Sequence, residues 1–599
     1  MFYRFQTSVA VVFLLLICIG CGHGRLQVRP GSVQQCVQAH RPALLKSPVV
    51  GWASTPSLNA WIDKIDEIGH RMSIFAPKVS FRKVAEARIA RRMTINGIKG
   101  SDWLSLQAPM HAILQRPAAG KQFNISIVTH ATSNAEFLDA FAAIRSEEPA
   151  KGWGFTVEPR RKRKRNRNRK ALPVWVELTE QAVAIFSFKP NIASALKPLG
   201  ICAASKRTSH LLEVGMDATE IKEMSTAALR FIGRFARRFS PIGGAINGFG
   251  KQASEALAQS SWLKLALDFD DESISLGGTL VAKPGSKLQK EWRRKAQTPA
   301  NRHLGQLPAD SWFVSLDNTD DQQPPLWIIK LLENRLPGPL KQAFTPMVKA
   351  VADMKFGQTA TALFVEGQFP LSLYVVSEIE NPRSIIETFD QSLRRLAKLQ
   401  QAKDKAKTGR KGSDLTQLVH DEGFTGLVKV LNRQMAKRGM SLSMRSLSKG
   451  EQRCDILTIK GILQIPAARK LPRGTLADSF DLGLCTEGKT IRIALSPEAA
   501  KWLPSRSNKG PSASADNAKW LSAETQMTDA RVSSLMVLYP KMLIDWFSRL
   551  IPTLPRWESG AAFVGRCGHN TSSARCELKV NLDLIEAIQS ARAALSRRK

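Results

Sequence analysis

FNISIVTHATSNAEFLDAFAAI (residues 123–144) and PLSLYVVSEIENPRSIIETFDQSL (residues 370–393) decide how the chain is read. Each is a short strand of alternating apolar residues, then a polar turn containing Asn134 or Asn381, then an amphipathic helix. A second pair lies downstream of each. VWVELTEQAVAIFSFKPNIASAL (174–196) and FDLGLCTEGKTIRIALSPEAAKWL (480–503) are both two strands joined at Thr-Glu, closed by a proline that opens a helix.

Two flanking matches extend the series in the same order. SPVVGWASTPSLNAWIDKIDEI (47–68) pairs with DSWFVSLDNTDDQQPPLWIIKLLENRL (310–336), and SISLGGTLVAKPGSKLQKEW (273–292) with SSARCELKVNLDLIEAIQSA (572–591). Chance similarity among short β–turn–α units does not require a shared order. Strands arrive as hairpins interrupted by helices rather than in steady β-α-β alternation. The expectation is therefore an α+β protein of two tandem related lobes, 46–295 and 306–595. Each is a mainly antiparallel sheet with helices over one face.

The spacing of the landmarks differs between copies. Asn134 and Asn381 are 247 apart (381 − 134), Thr179 and Thr486 are 307 apart (486 − 179), so the second copy carries 60 more residues between them (307 − 247). That insert includes KLQQAKDKAKTGRKG (398–412), a solvated linker or helix end. In the first copy the same interval holds strand GWGFTVEP (152–159), a basic run and strand VWVEL. The run reads as a loop between two strands. SRSNKGPSASADN (505–517) reads as a surface loop.

LPADSWFVSLDN (307–318), a following strand and the Glu380-Asn381-Pro382 turn before a helix resemble uncharacterised bacterial envelope lipoproteins built on a repeated α+β domain of unknown function. The resemblance covers most of the mature chain. It implies an exported, non-catalytic protein and carries no catalytic residues.

The N-terminus points the same way from its own chemistry. After Arg4 comes an apolar stretch of eleven residues, Val9–Ile19, too short for a comfortable membrane span and suited to a secretory signal. Cys18-Ile19-Gly20-Cys21 resembles a lipobox with Cys18 in the position where Leu is usual, so Cys21 is the expected lipidation site. Residues 1–21 form the signal and 22–45 a linker. Of eight cysteines, six remain for the exported protein, an even number that allows fifteen disulfide pairings. Cys567 and Cys576, flanking the turn-like GHNTSSAR, are the expected pair. His569 between them lacks the further ligand and spacing of a zinc site.

The formal net charge is +36 in 599 residues. Nine of these charges fall in one run: Arg160, Arg161, Lys162, Arg163, Lys164, Arg165, Arg167, Arg169 and Lys170. Removing them leaves +27 (36 − 9), so the basicity is distributed and attracts polyanions of several kinds. Anionic lipid, lipopolysaccharide and peptidoglycan are the candidate partners in a cell envelope facing the periplasm. The run lacks the aromatic platform and base-reading fold of a specific nucleic-acid site. An intracellular nucleic-acid-binding protein using 160–170 stays as the first alternative, and an envelope hydrolase with an unrecognised site as the second.

No reliable catalytic, metal or cofactor motif stands in the chain. The carboxylates Asp268, Asp270, Asp271 and Glu272 read as a hairpin turn, because calcium demands alternating oxygen ligands around a glycine-directed turn. PIGGAINGFGKQA (241–253) fails both phosphate-loop and dinucleotide patterns on context. LRFIGRFARRF (229–239) is a basic amphipathic helix whose apolar stripe suits a core or an anionic membrane surface.

Overall fold

The computed structural model describes residues 33–584 apart from 41–48, 72–79, 117–123, 149–151, 158–171, 207, 209, 221–254, 298–300, 309–310, 319–337, 367–368, 409–413, 450, 465–476, 500–502, 504–525, 528–529, 549–556 and 558–559. It mixes helix and strand, and within each unit the strands pair antiparallel. Backbone packing divides the chain into two units, one holding 26–224 and 257–283, the other the chain from Pro284 onward.

The first unit runs α1 (Val33–His40), β1 (Val49–Thr55), α2 (Leu58–Arg71), α3 (Phe81–Ile95), β2 (Met110–Gln115), β3 (Asn124–His130) and α4 (Asn134–Phe141). It continues through β4 (Ser146–Glu148), β5 (Gly152–Val157), β6 (Leu172–Leu178), β7 (Val183–Ser187), α5 (Pro190–Ala195), α6 (Lys197–Ala204), β8 (Leu212–Asp217), β9 (Ser260–Phe269) and β10 (Ser273–Ala282). Its strand order is β10-β9-β8-β1-β2-β3-β7-β6-β5-β4.

Local chemistry explains the landmarks. Ser133 caps α4 by accepting from the Glu136 N–H at 3.1 Å, the first half of a capping box. Thr179 closes the Thr-Glu turn, its hydroxyl accepting from the Val183 N–H at 3.1 Å. The Ala131 N–H then donates to the Ala182 carbonyl at 2.8 Å, tying the Asn134 turn to the Thr179 turn.

Helices cover both faces of this sheet, not one. Ile185 packs with Trp52, Ile113 and Val128 against Cys36 of α1 and Leu199 of α6. The neighbouring Ala184, which faces the other way, joins Val174, Val176 and Phe155 beneath Phe137 and Phe141 of α4. Strands whose both faces must be buried lose the clean alternation on which a one-sided reading depends. Residues 33–40 also depart from the expected linker: Cys36 and Val37 are apolar enough to seat α1 in the core.

The second unit runs α7 (Lys287–Lys295), β11 (Ser311–Asp317), α8 (Gly338–Asp353), β12 (Phe356–Glu366), β13 (Phe369–Ile379), α9 (Pro382–Thr408), α10 (Asp414–Glu422) and α11 (Phe424–Ala436). Then come β14 (Ser441–Lys449), β15 (Gln452–Lys460), β16 (Ser479–Glu487), β17 (Thr490–Ser496), β18 (Gln526–Met527), β19 (Ala530–Leu538), α12 (Lys541–Ser548), β20 (Phe563–His569) and β21 (Ser573–Asn581). The order is β21-β20-β19-β11-β12-β13-β17-β16-β15-β14. With the two-residue β18 set aside, this is the order of the first unit, strand for strand.

Two placements differ from the sequence reading. The sequence places 287–295 at the end of the first lobe, whereas α7 packs on β20 and β21, with Trp292 fully buried beside His569. The additional residues of the second unit lie before β14, in α9 to α11, and residues 398–408 are the end of α9. The basic run therefore does not occupy the place of that insert. It bridges β5 and β6, whose counterparts β15 and β16 are joined by residues 461–478.

Candidate functional site

Residues 158–171, including Arg160, Arg161, Lys162, Arg163, Lys164, Arg165, Arg167, Arg169 and Lys170, lie outside the described residues, as do Cys21, 229–239, 241–253 and 505–517. What the structure supplies is the base of the basic loop. β5 and β6 pair from Trp153 opposite Val176 to Val157 opposite Leu172, so the run starts and ends on adjacent strands. The strands approach closely there: a Cβ at Gly154 would fall 2.3 Å from the Val174 carbonyl oxygen.

The six cysteines from Cys36 onward are paired: Cys36–Cys202, Cys454–Cys485 and Cys567–Cys576. Cys567 faces Cys576 directly across β20 and β21, and Cys454 faces Cys485 across β15 and β16. Cys36–Cys202 fastens α1 to α6. Alternation along a strand can flag a cross-strand pair, but nothing local joins Cys36 to a residue 166 positions away.

The acidic cluster is a hairpin turn. Asp270 Oδ1 accepts from the N–H of Glu272 at 3.0 Å, and Asp270 Oδ2 from the Ser273 hydroxyl at 2.7 Å. Asp268 meets His210 Nδ1 at 2.5 Å, and Asp271 takes Lys64 at 2.8 Å. The carboxylates serve separate partners instead of converging. Among the described residues no group of three or more His, Cys, Asp or Glu side chains is placed to hold a metal.

Two polar clusters that the sequence did not disclose lie in the sheets, the first of them buried. In the first unit Lys264 pairs with Glu213, both side chains under a tenth exposed, and the Lys264 ammonium lies 5.6 Å from the Trp52 ring centroid. Gly215 makes room for that indole, since a Cβ there would sit 2.5 Å from it. Beside them Ser54 Oγ lies 2.8 Å from His111 Nδ1. Burial, with His130 nearby, pushes the His111 imidazole down to about 4, against a bond to the Ala203 backbone that favours the charged form. A serine beside a histidine invites a hydrolase reading. Both residues are 1% exposed, so the pair sits inside the sheet packing rather than at a described surface.

In the second unit Glu378 receives His303 Nε2 at 2.9 Å and Arg302, while Arg492 reaches Glu487 at 2.8 Å. Burial lowers His303 even though Glu378 opposes it, and burial raises Tyr374 against the pull of Arg492. Two guanidiniums face two carboxylates, with Arg302 and Glu487 at the exposed margin of the cluster. The one signal in sequence was a charged residue at an inward strand position, as with Lys264 between Trp262 and Ala266; its partner came from a distant strand.

No protein-family model, characterised protein or solved structure matches the chain.

Proposed function

We propose that the chain is an exported, lipid-anchored envelope protein without catalytic activity. It is made of two tandem related α+β lobes, and its basic surface engages anionic lipid headgroups, lipopolysaccharide or peptidoglycan. The observation that carries the reading is the combination of a signal-like segment ending at Cys21 with complete pairing of the remaining six cysteines. Disulfides persist outside the reducing cytosol, so three of them belong with export. That compartment disfavours the nucleic-acid alternative.

Tandem relation is supported by the shared strand order and by an equivalent tie in each unit. The Ala131 N–H donates to Ala182 at 2.8 Å, and the Ile379 N–H to Lys489 at 2.7 Å, each joining the helix-entry turn to the hairpin turn. The polyanion role rests on +36 net charge, nine of it concentrated on the β5–β6 connection. Each basic residue near an anionic surface contributes roughly 1 kcal/mol, and salt weakens it.

Mass spectrometry of the mature N-terminus tests the anchoring. A diacylglyceryl-modified Cys21 that disappears in Cys21→Ala is expected; an intact Met1 in a soluble cytosolic chain overturns export and anchor together. Vesicle binding that survives unchanged when residues 160–170 are neutralised would remove the loop from the proposal.

A further inference from the structure

β14 ends the strand order of the second unit and pairs, among the described residues, with β15 alone. In an antiparallel ladder, successive residues alternate between exchanging hydrogen bonds with the partner and turning their N–H and C=O away. The N–H of Leu442 donates to Asn432 Oδ1 of α11 at 2.7 Å, so Leu442 is turned away from β15. By the same alternation Met444, Ser446 and Ser448 present their backbone groups outward. Asn432 covers the edge at Leu442; farther along, Arg445, Ser446, Leu447 and Ser448 are exposed, Leu447 by 51%.

Proteins commonly blunt such edges by keeping them short. The first unit follows this rule, ending on the three-residue β4. β14 is nine residues long, and behind it β15 and β16 are joined by Cys454–Cys485. The template is therefore long and stiff. Its only charged residues, Arg445 and Lys449, are basic. Arg445 is 55% exposed and held only loosely, 3.7 Å from Asp481. Pairing with a second copy centred on Arg445 would set two arginines opposite each other, which destabilises a ladder. A strand bearing carboxylates meets the opposite sign.

We propose that the outer edge of β14, from Met444 to Ser448, accepts an extended acidic segment of a partner protein as an added strand. Main-chain hydrogen bonds would supply the affinity, and Arg445 the preference for acid. The inference stands on the sheet edge alone and does not depend on the lipid anchor.

The test uses the full chain and a short peptide of alternating valine and glutamate, with a valine–lysine peptide as control, read by hydrogen exchange over 441–449. The acidic peptide should slow exchange saturably. Arg445→Glu should weaken it several-fold, the scale of one reversed cross-strand charge pair. Ser446→Pro should abolish the effect while leaving the thermal melt in place, because that N–H is outside the β14–β15 ladder. If Ser446→Pro does not fold, the charge-reversed variant decides by itself. Equal protection by both peptides, protection by neither, or protection that grows with protein concentration without peptide overturns the proposal.

Discussion

Loss of the Cys36–Cys202 bond should cost the first unit more than loss of either other disulfide costs the second. The perturbation is Cys36→Ala with Cys202→Ala, compared with Cys454→Ala/Cys485→Ala and Cys567→Ala/Cys576→Ala. The bonds span 166, 31 and 9 residues. Treating each span as the loop closed in the unfolded chain, the entropy relation at 25 °C yields about 5, about 4 and about 2.5 kcal/mol. Structure sharpens the ranking. Cys567 and Cys576 already face each other in a paired hairpin, so their bond adds little order. Cys36 is fully buried on a helix that nothing else ties covalently to α6, so its loss also exposes Val37 and Leu199 beneath α1. The assay is denaturant unfolding of the three variants, with hydrogen exchange over 33–40 and 197–204 to report where structure opens. Expected is early opening of α1 and α6 in the first variant, with the midpoint loss largest there. A Cys36→Ala/Cys202→Ala protein as stable as Cys567→Ala/Cys576→Ala would refute the reasoning.

Further perturbations test the buried polar groups and the loop. His111 is neutral in the fold, with its pKa lowered from 6.5 to about 4, so the unfolded chain binds a proton first as pH falls. Its contribution is complete above pH about 6.5 and is lost toward pH 4, about 2 kcal/mol of it between pH 7 and 5. Unfolding at the two pH values should show this slope, and His111→Gln should flatten it. Lys264→Ala strands the buried Glu213 carboxylate and should destabilise the first unit by roughly 3–5 kcal/mol, whereas Lys264→Met with Glu213→Gln should restore much of the loss in a thermal melt. Gly215→Ala forces a methyl into the Trp52 indole and should cost roughly 1–3 kcal/mol, visible as a shifted Trp fluorescence transition. Deleting 160–170 and joining β5 to β6 with a short Gly-Ser turn should leave circular dichroism unchanged and remove nine positive charges.

Much of the fold was legible because its signals are local. Alternation in 124–130 and 369–379, the Asn134 turn, the Pro190 helix start and the Thr179 and Glu487 hairpins are each set by a few neighbouring residues. Their repetition in order is the ground for the proposed likeness between the two halves. The misplaced elements share a different trait. α1, α7 and the second layer of helices are positioned by contacts with residues far along the chain, such as Cys36 with Cys202 and Trp292 with His569. Periodicity says which side of a helix is apolar and is silent on what that side meets.

The same division holds for the chemistry. By itself, the amino-acid order determined the signal-like N-terminus, the even set of six cysteines, the +36 charge and the basic run between two strands. Only tertiary structure decided which cysteines meet, that Lys264 and Glu213 neutralise each other beneath Trp52, and that β14 stands last in the strand order of the second unit among the described residues. Composition and short patterns survive in one dimension. A pairing depends on which strands become neighbours, and that is settled when the whole chain buries its apolar surface together.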